Sequence, residues 1–417
     1  MMKLSGKILP FTCLLYALSG KAQQVFMLPA VLDSVIANNP GLKQFKLKTR
    51  ASQAMARAAG AWEAPQVGFG LTEFPYPGKA ENQQARKMLM LHVEQMFPNF
   101  SDQRAEQRYY ESFRNLNQDD YLSMKNALCG EAKAAYFQAV IAIKRLEVIR
   151  EESGVLQLLI KTATSKLAYS SGDLPDIYEA RARLSDLYSQ RLEDSSLVLQ
   201  SSRILNYLMD RPQSVLLGFD TLITLHVYQE SPLLLDSAKL ERRRSDIGKI
   251  SNQINTLEFS REEKGRLGKP SFGVSYDNMR MSSGMYMFDL MALIKLPLVP
   301  WSSRGYREQQ LSIGYEEQAL EQKKTGLINE AVADAQKTLI DLQTKYQELD
   351  VLEQQVIPAY RKAFQANLDA YRENTGSIYQ TLMTWQDLLA KKMDYLDKLS
   401  AAFQLEVLYE LNIQQYD

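Results

Sequence analysis

Cysteine and histidine are nearly absent from this chain of 417 residues, which has two of each. Cys13 falls within an apolar N-terminal run, so Cys129 is the one thiol in the rest of the chain and no internal disulfide can form. A single cysteine on an apolar helix face is a packing residue. His92 and His226 have no partner at metal-binding spacing, and no His-Glu-x-x-His helix occurs. No metal centre or cofactor is expected. No sign of charge prevails, with Lys+Arg and Asp+Glu at 49 each. A nucleic-acid partner is therefore not expected, since such proteins carry a basic excess. Beyond the N-terminus no run reaches the 18 or more apolar residues of a transmembrane helix. The nearest stretch, Tyr286 to Pro300, carries Asp289 and Lys295. No catalytic constellation occurs either. Gly68-x-Gly70 lies in a strand pattern and opens no helix. The many Asp and Glu on helices read as solvated faces. The expectation is a protein that is not an enzyme.

What is present is globular in composition, 45% hydrophobic and 24% charged. Lys3 and Lys7 precede the apolar run Ile8 to Leu18, followed by Gly20-Lys21-Ala22. This is the pattern of a secretory signal peptide cut near Ala22. Cys13 lacks the small-residue context of a lipid-attachment site. An exported chain without a membrane helix is either soluble or part of a β-barrel.

Long helical patterns dominate. Leu128, Ala132, Ala135, Ala139, Ala142, Leu146 and Ile149 recur as a heptad seam. Leu352, Val356, Ala359, Ala363, Ala366 and Ala370 predict a second seam. Helices over 101–168 and 302–371 would each be about 100 Å long. Pro358 predicts a kink or break in the second. Turn signals come after each, at Tyr169 to Asp176 and at Tyr371 to Ser377. Return helices are expected over 176–209 and 377–413, making two antiparallel helical hairpins.

Strand patterns are few and short. Val67, Phe69 and Leu71 alternate with smaller or polar residues, as do Leu89, Leu91 and Val93. So do Phe272, Val274 and Tyr276, and, less cleanly, Phe288 to Ile294. Two hairpins are expected, 65–74 with 88–97 and 270–279 with 286–296. Their length suits a tilted membrane strand. Thr221 to Val227 is a further strand candidate.

The chain is also a duplicate. Leu89-Met90 recurs as Leu290-Met291, and Phe100-Ser101 as Trp301-Ser302. Ile177-Tyr178 recurs as Ile378-Tyr379, and Asp186-Leu187 as Asp387-Leu388. The order helix, strand, strand, long helix, turn, return helix appears twice. The segments expected are a signal peptide, 1–22, and a periplasmic helix, 23–63. A strand hairpin, 64–100, and a helical hairpin, 101–211, complete the first half. An equatorial segment, 212–266, leads to a second strand hairpin, 267–301, and a second helical hairpin, 302–417. Four strands cannot close a barrel alone, because their edges would be unpaired in lipid. Several protomers must therefore combine, and three would give twelve strands around one axis.

These residues resemble the TolC-like outer membrane efflux proteins over essentially the whole mature chain. Ala37-Asn38-Asn39-Pro40-Gly41-Leu42 is similar to the family's Asn-Pro-x-Leu start. Val93 to Pro98 resembles its strand-to-helix junction, and Tyr169 to Gly172 with Asp176 to Ala182 its first tip turn. The Phe97-Pro98-Asn99-Phe100 junction looks like the heavy-metal efflux members. The resemblance implies a mainly α fold with a small membrane β part. It implies a homotrimer with a twelve-stranded barrel in outer membrane lipid and a helical tunnel in the periplasm. It also implies two partners, a periplasmic adaptor (membrane fusion) protein and an inner-membrane efflux transporter that supplies the energy. The tip turns would contact the adaptor and close the tunnel. The candidates here are Gly172, Asp173, Asp176 and Tyr178 on one turn, and Gly376 and Tyr379 on the other. Some members place aspartates on the second return helix. This chain has none over Ile378 to Thr384, and Asp173 and Asp176 are the acidic alternative. Asp176 equally fits a helix N-cap. Drugs, heavy-metal ions and secreted proteins all remain as cargo. A periplasmic coiled-coil interaction protein is the alternative that dispenses with a channel.

Two groups of residues admit two readings from the sequence alone. Phe74, Tyr76, Phe97, Phe100, Tyr286 and Trp301 flank the strands as an interfacial girdle or as core. Met279, Met281, Met285, Met287 and Met291 are a thioether site or apolar filling, for which a barrel's outer face has need. His92 is expected on the lumen side, and Ser101 or Asp102 as the cap of the first long helix.

Overall fold

A computed structural model describes residues 25–73, 88–168, 174–232, 236–297 and 299–414. The signal-peptide region lies outside them, as do Phe74, Tyr76, Gly172 and Asp173. The chain opens with β1 (Val25–Phe26) and α1 (Leu28–Asn38). The first series comes next: α2 (Pro40–Ala58), β2 (Gln66–Thr72), β3 (Met88–Phe97), α3 (Phe100–Ala168) and α4 (Leu174–Leu208). β4 (Gly218–Phe219) and α5 (Ser237–Arg243) link it to the second. That series is α6 (Ser245–Arg266), β5 (Ser271–Met281), β6 (Tyr286–Lys295) and α7 (Pro300–Val351). A π-helical turn (Leu352–Val356) joins α7 to α8 (Ile357–Arg372), and α9 (Ile378–Ile413) returns. The same order of elements appears twice, as the repeat in the sequence predicts.

β2, β3, β5 and β6 form one antiparallel sheet in that order. The two hairpins therefore join through β3 and β5, one strand from each repeat. α3 has 69 residues, about 100 Å at the usual helical rise. Near the strands it lies against α6, where Ser112 donates to the Thr256 hydroxyl at 3.0 Å and Asn252 to Asp119 at 2.6 Å. Toward its far end it packs against α4.

Two cores hold the helices. One gathers Val31 and Val35 of α1, Tyr136 and Val140 of α3, Leu205 of α4 and Phe403 of α9. The other, nearer the helix tips, joins Leu156 of α3, Leu187 of α4, Leu368 of α8 and Trp385 of α9. Full burial of such side chains contributes about 1.5–3 kcal/mol each. In the first predicted seam, Ala132, Ala135, Ala139, Ala142 and Ile149 are all buried. Alanine there lets α3 lie close to its neighbours.

The second seam is displaced by one residue. Ala359, Ala363 and Ala366 are exposed, while Phe364, Leu368 and Tyr371 are buried. The reason is the π-helical turn, which inserts one residue into the ladder and rotates the downstream helix by about 100°. It ends just before Pro358, which occupies the first turn of α8. A proline ring clashes with the carbonyl four residues back, and a widened turn relieves that clash. The break that Pro358 predicts thus takes this form.

The strand candidate over 221–227 is not a strand. The short pairing nearby is β1 with β4, in parallel. The alternation instead reflects packing on helices, since Ile223 and Leu225 lean on the first core while Leu222 is exposed. This strap is bonded to helix side chains. The N–H of His226 donates to Glu406 at 3.1 Å, and the Tyr228 hydroxyl to Glu410 at 3.0 Å. Lys133, buried with both glutamates, donates to Glu406 at 2.7 Å and to Glu410 at 2.6 Å.

Candidate channel wall, junction and tunnel tip

Because side chains alternate along a strand, the pairing register sorts the sheet into two faces. One carries Val67, Phe69, Leu71, Leu89, Phe288 and Leu290, all more than half exposed. The other carries His92, Glu94, Asp277, Asp289 and Lys295, while Arg280 stands on the first face, at the end of the sheet beside Tyr286. His92 pairs with Gly68 on one side and Asp277 on the other, and Asp277 pairs with Asp289. The Nδ1 atom of His92 lies 2.6 Å from Asp277 Oδ1, and Nε2 lies 3.5 Å from Glu94 Oε2. His92 is thus on the polar face, across from its acidic partner, which sequence spacing of 185 residues hides. A face of exposed Leu, Phe and Val beside a face with His, Asp and Glu is the signature of a membrane strand whose charges avoid lipid.

The methionines accompany the charges. Met279, Met281, Met287 and Met291 fall on the polar face with Met90 and Met96. They do not supply the opposite face, which is built mainly from Val, Leu, Ile and aromatic residues, with Gln95, Asn278 and Arg280 among them. Met285 lies at the turn between β5 and β6, where its carbonyl accepts from Met281 N–H at 2.9 Å.

At the other end of the sheet the chain turns into α3. Strand pairing of β3 stops at Phe97, one residue before Pro98, which has no N–H to donate. The helix is capped by Asn99, not by Ser101 or Asp102. Asn99 Oδ1 accepts from the N–H of Ser101 at 3.0 Å and from its hydroxyl at 2.7 Å. Asn99 takes the role because the helix already begins at Phe100. Its amide donates to the Pro270 carbonyl at 3.4 Å, tying the first junction to the second repeat. Phe100 is 62% exposed and Trp301, its counterpart at the start of α7, is 82% exposed. Neither belongs to a core. Phe97 lies edge-on to Trp62 with ring centroids 5.8 Å apart. Trp62 belongs to this aromatic group and lacks a strand pattern of its own. Tyr286 is exposed at the opposite end of the sheet, beneath Arg280.

Asn39 and Pro40 organise the start of α2. Asn39 accepts from the Gly41 N–H at 2.8 Å and donates to the Leu208 carbonyl at 2.9 Å. Pro40 takes the first helical position, where no N–H is needed.

At the tips, Ile177 and Ile378 are buried while their neighbours Tyr178 and Tyr379 are exposed. The two turns thus present equivalent tyrosines. Asp176 is the third residue of α4, inside the first turn, so it is not the N-cap. A carboxylate in that place favours the positive end of the helix dipole. Asp176 also acts at a distance on Tyr371: burial first, and then its negative charge, push the Tyr371 hydroxyl above the ordinary range. Lys166 of α3 lies 4.0 Å from the Tyr371 ring centroid and donates to its carbonyl. In the second turn Asn374 takes a left-handed conformation, φ 62°, which asparagine tolerates. The N–H of Gly376 then bonds to the Ala370 carbonyl at 3.0 Å. A side chain at Gly376 would meet the Ala370 Cβ at 3.0 Å, a tight contact, so the close approach favours glycine. Ser377 caps α9 by accepting from Gln380 N–H at 3.2 Å.

No group of His, Cys, Asp and Glu among the described residues could hold a metal ion. No described helix is long and apolar enough to cross a membrane.

No protein-family profile matches the chain, and no curated protein matches it in sequence. Solved structures do match in shape. The outer-membrane channel OprN is 15% identical, with a TM-score of 0.75 over 93% of this chain and 89% of its own. The outer membrane protein VceC of Vibrio cholerae is 15% identical, with a TM-score of 0.73 over 93% and 95%. The Campylobacter jejuni outer membrane channel CmeC is 13% identical, with a TM-score of 0.71 over 93% and 85%. The shape is shared along nearly the whole chain, which therefore has the fold of the TolC-like outer-membrane channels.

Proposed function

We propose that this protein is the outer-membrane component of a tripartite efflux system, a passive duct for small solutes such as drugs or heavy-metal ions. One observation carries the proposal. The sheet has an exposed apolar face, a charged face, and two edge strands, β2 and β6, each with a neighbour on one side only. Unpaired edges are not tolerated in lipid. Three copies joined edge to edge close a barrel of twelve strands, with His92, Asp277 and Asp289 toward the lumen. Phe97, Phe100, Tyr286 and Trp301 lie at the two membrane surfaces. Helices of about 100 Å far exceed a hydrocarbon core of about 30 Å, so they cross the periplasm as a tunnel.

Energy comes from an inner-membrane transporter, reached through a periplasmic adaptor that grips the helix tips. Tyr178 and Tyr379, at equivalent places on the two tip turns, offer the adaptor matching contacts. Asp176 and Gly376 form the constriction. The test is membrane fractionation of the native host, then gel mobility with and without heating and planar-bilayer recording. The expected outcome is an outer-membrane, heat-modifiable oligomer that conducts ions. Release with the soluble periplasmic fraction would sink the channel reading.

A further inference from the structure

The polar face of the sheet is unusually rich in thioethers. Met90, Met279 and Met287 stand in one row across β3, β5 and β6. Met88 and Met281 form the adjacent row. Met96 and Met291 complete the set on the same face, and the opposite face has no methionine among the described residues. If methionine served here only as pliable apolar filling, the lipid-directed face would hold most of it, since that face needs apolar atoms. The distribution is the reverse. Thioethers occupy the side where charges are also found and where apolar atoms gain least.

The geometry suits a ligand. Neighbouring strands lie about 4.8 Å apart and successive residues of one face about 6.8 Å apart. Five flexible thioethers in two adjacent rows can therefore converge on one ion. The next row toward the helices holds His92, Asp277 and Asp289. These carboxylates raise the local concentration of cations without selecting among them. Thioether sulfur supplies the selection, because it is a soft donor that prefers soft monovalent metal ions over hard or divalent ones.

We propose that Met88, Met90, Met279, Met281 and Met287 form a binding station for a soft monovalent cation, Cu(I) or Ag(I), in the outer half of the barrel. The station rests on the channel reading for its place in the lumen, and it names one class of solute that the duct carries. It lies at the strand ends remote from the helices, so an ion meets it late in its passage. Binding involves coordination only, with no change of oxidation state.

The experiment uses the purified full-length oligomer in chloride-free buffer, with Cys129→Ala to remove the thiol, and Ag(I) as the probe. Calorimetric titration should give saturable binding at micromolar Ag(I) and none with Mg(II). Silver-edge X-ray absorption should report sulfur neighbours. Met90→Leu, Met279→Leu and Met287→Leu together keep volume and apolar character, and should weaken binding at least tenfold while heat-modifiable mobility and bilayer conductance persist. Unchanged affinity in that triple variant overturns the station, as does a silver shell of nitrogen and oxygen alone. The absorption measurement needs no variant, so it decides even where the triple variant fails to assemble. Loss of the channel reading registers separately, as absent conductance in protein that still binds silver.

Discussion

Trp385 of α9 donates its indole N–H to Oε2 of Glu152 in α3 at 2.7 Å, and both side chains are buried. Lys392 donates to the other oxygen at 2.6 Å. One carboxylate on the first long helix thus holds two residues of the second return helix. A buried carboxylate is tolerated only when so paired. Glu152→Ala leaves the indole and the ammonium without their acceptor, and is expected to cost about 2–4 kcal/mol. The check is thermal unfolding monitored by helical circular dichroism. A melting temperature equal to the parent's would mean that Glu152 does not hold α9.

Deleting Gln355 together with Pro358→Ala should turn the π-helical turn into unbroken α-helix. Phe364, Leu368 and Tyr371 would then keep their place against α9, because the residue deleted is the one the turn absorbs. Inserting one alanine after Gln355 should instead rotate them by about 100°. The expected result is parent-like trypsin resistance and oligomer on gels for the deletion, and rapid cleavage in α8 with loss of the oligomer for the insertion. Equal behaviour of the two variants would count against the phase argument.

At the tips, Lys166→Ala removes both the cation over the Tyr371 ring and the bond to the Tyr371 carbonyl. Asp176→Ala removes the nearby charge. Each is expected to loosen the tip and raise single-channel conductance in planar bilayers. A conductance unchanged in both would remove this pair of turns from the gate.

Glu348 accepts from Lys345 of its own helix and from Lys398 of α9, both at 2.8 Å. Hydrogen bonds from the two ammonium groups hold its carboxyl down to about 2. A depressed value means the contribution is fully present above the ordinary value of 4.5. It is lost as pH falls from there through about 2. The site is well exposed, so Glu348→Gln should cost less than about 1 kcal/mol at neutral pH. The gap between parent and variant should close progressively below pH 4.5. A gap that widened with acid would reverse the assignment. The readout is the melting temperature of both proteins across that range.

Cys129 is 1% exposed, and burial pushes its thiol up to about 11. Since the thiolate is the reactive form, maleimide at pH 8 should leave the folded protein unlabelled and label it fully in denaturant. Fast labelling of the native oligomer would contradict the packing.

The local patterns were sufficient for the elements. Alternation at Val67 to Leu71 and at Leu89 to Val93 placed both strands of the first hairpin. The heptad from Leu128 to Ile149 named the buried stripe of α3. The repeat of Leu89-Met90 as Leu290-Met291 announced the duplication. These signals are legible because side-chain period depends directly on backbone geometry. Where a local pattern failed, a distant partner or an inserted residue had intervened. The strap at 221–227 alternates like a strand, but Glu406 and Glu410 claim its polar groups. The alanine seam after Leu352 would hold in an unbroken helix, and one inserted residue moves it.

By itself the sequence determined the order of strands and helices, their lengths and the twofold repeat, since each depends on neighbours within a few residues. Only the tertiary structure decided which face each strand residue takes and what stands beside it. The pairing of β3 with β5 brings His92 to Asp277 and Met90 to Met279, although the chain separates each pair by more than 180 residues. Sheet register depends on hydrogen bonds between remote segments, and a slip of one residue would exchange the two faces entirely.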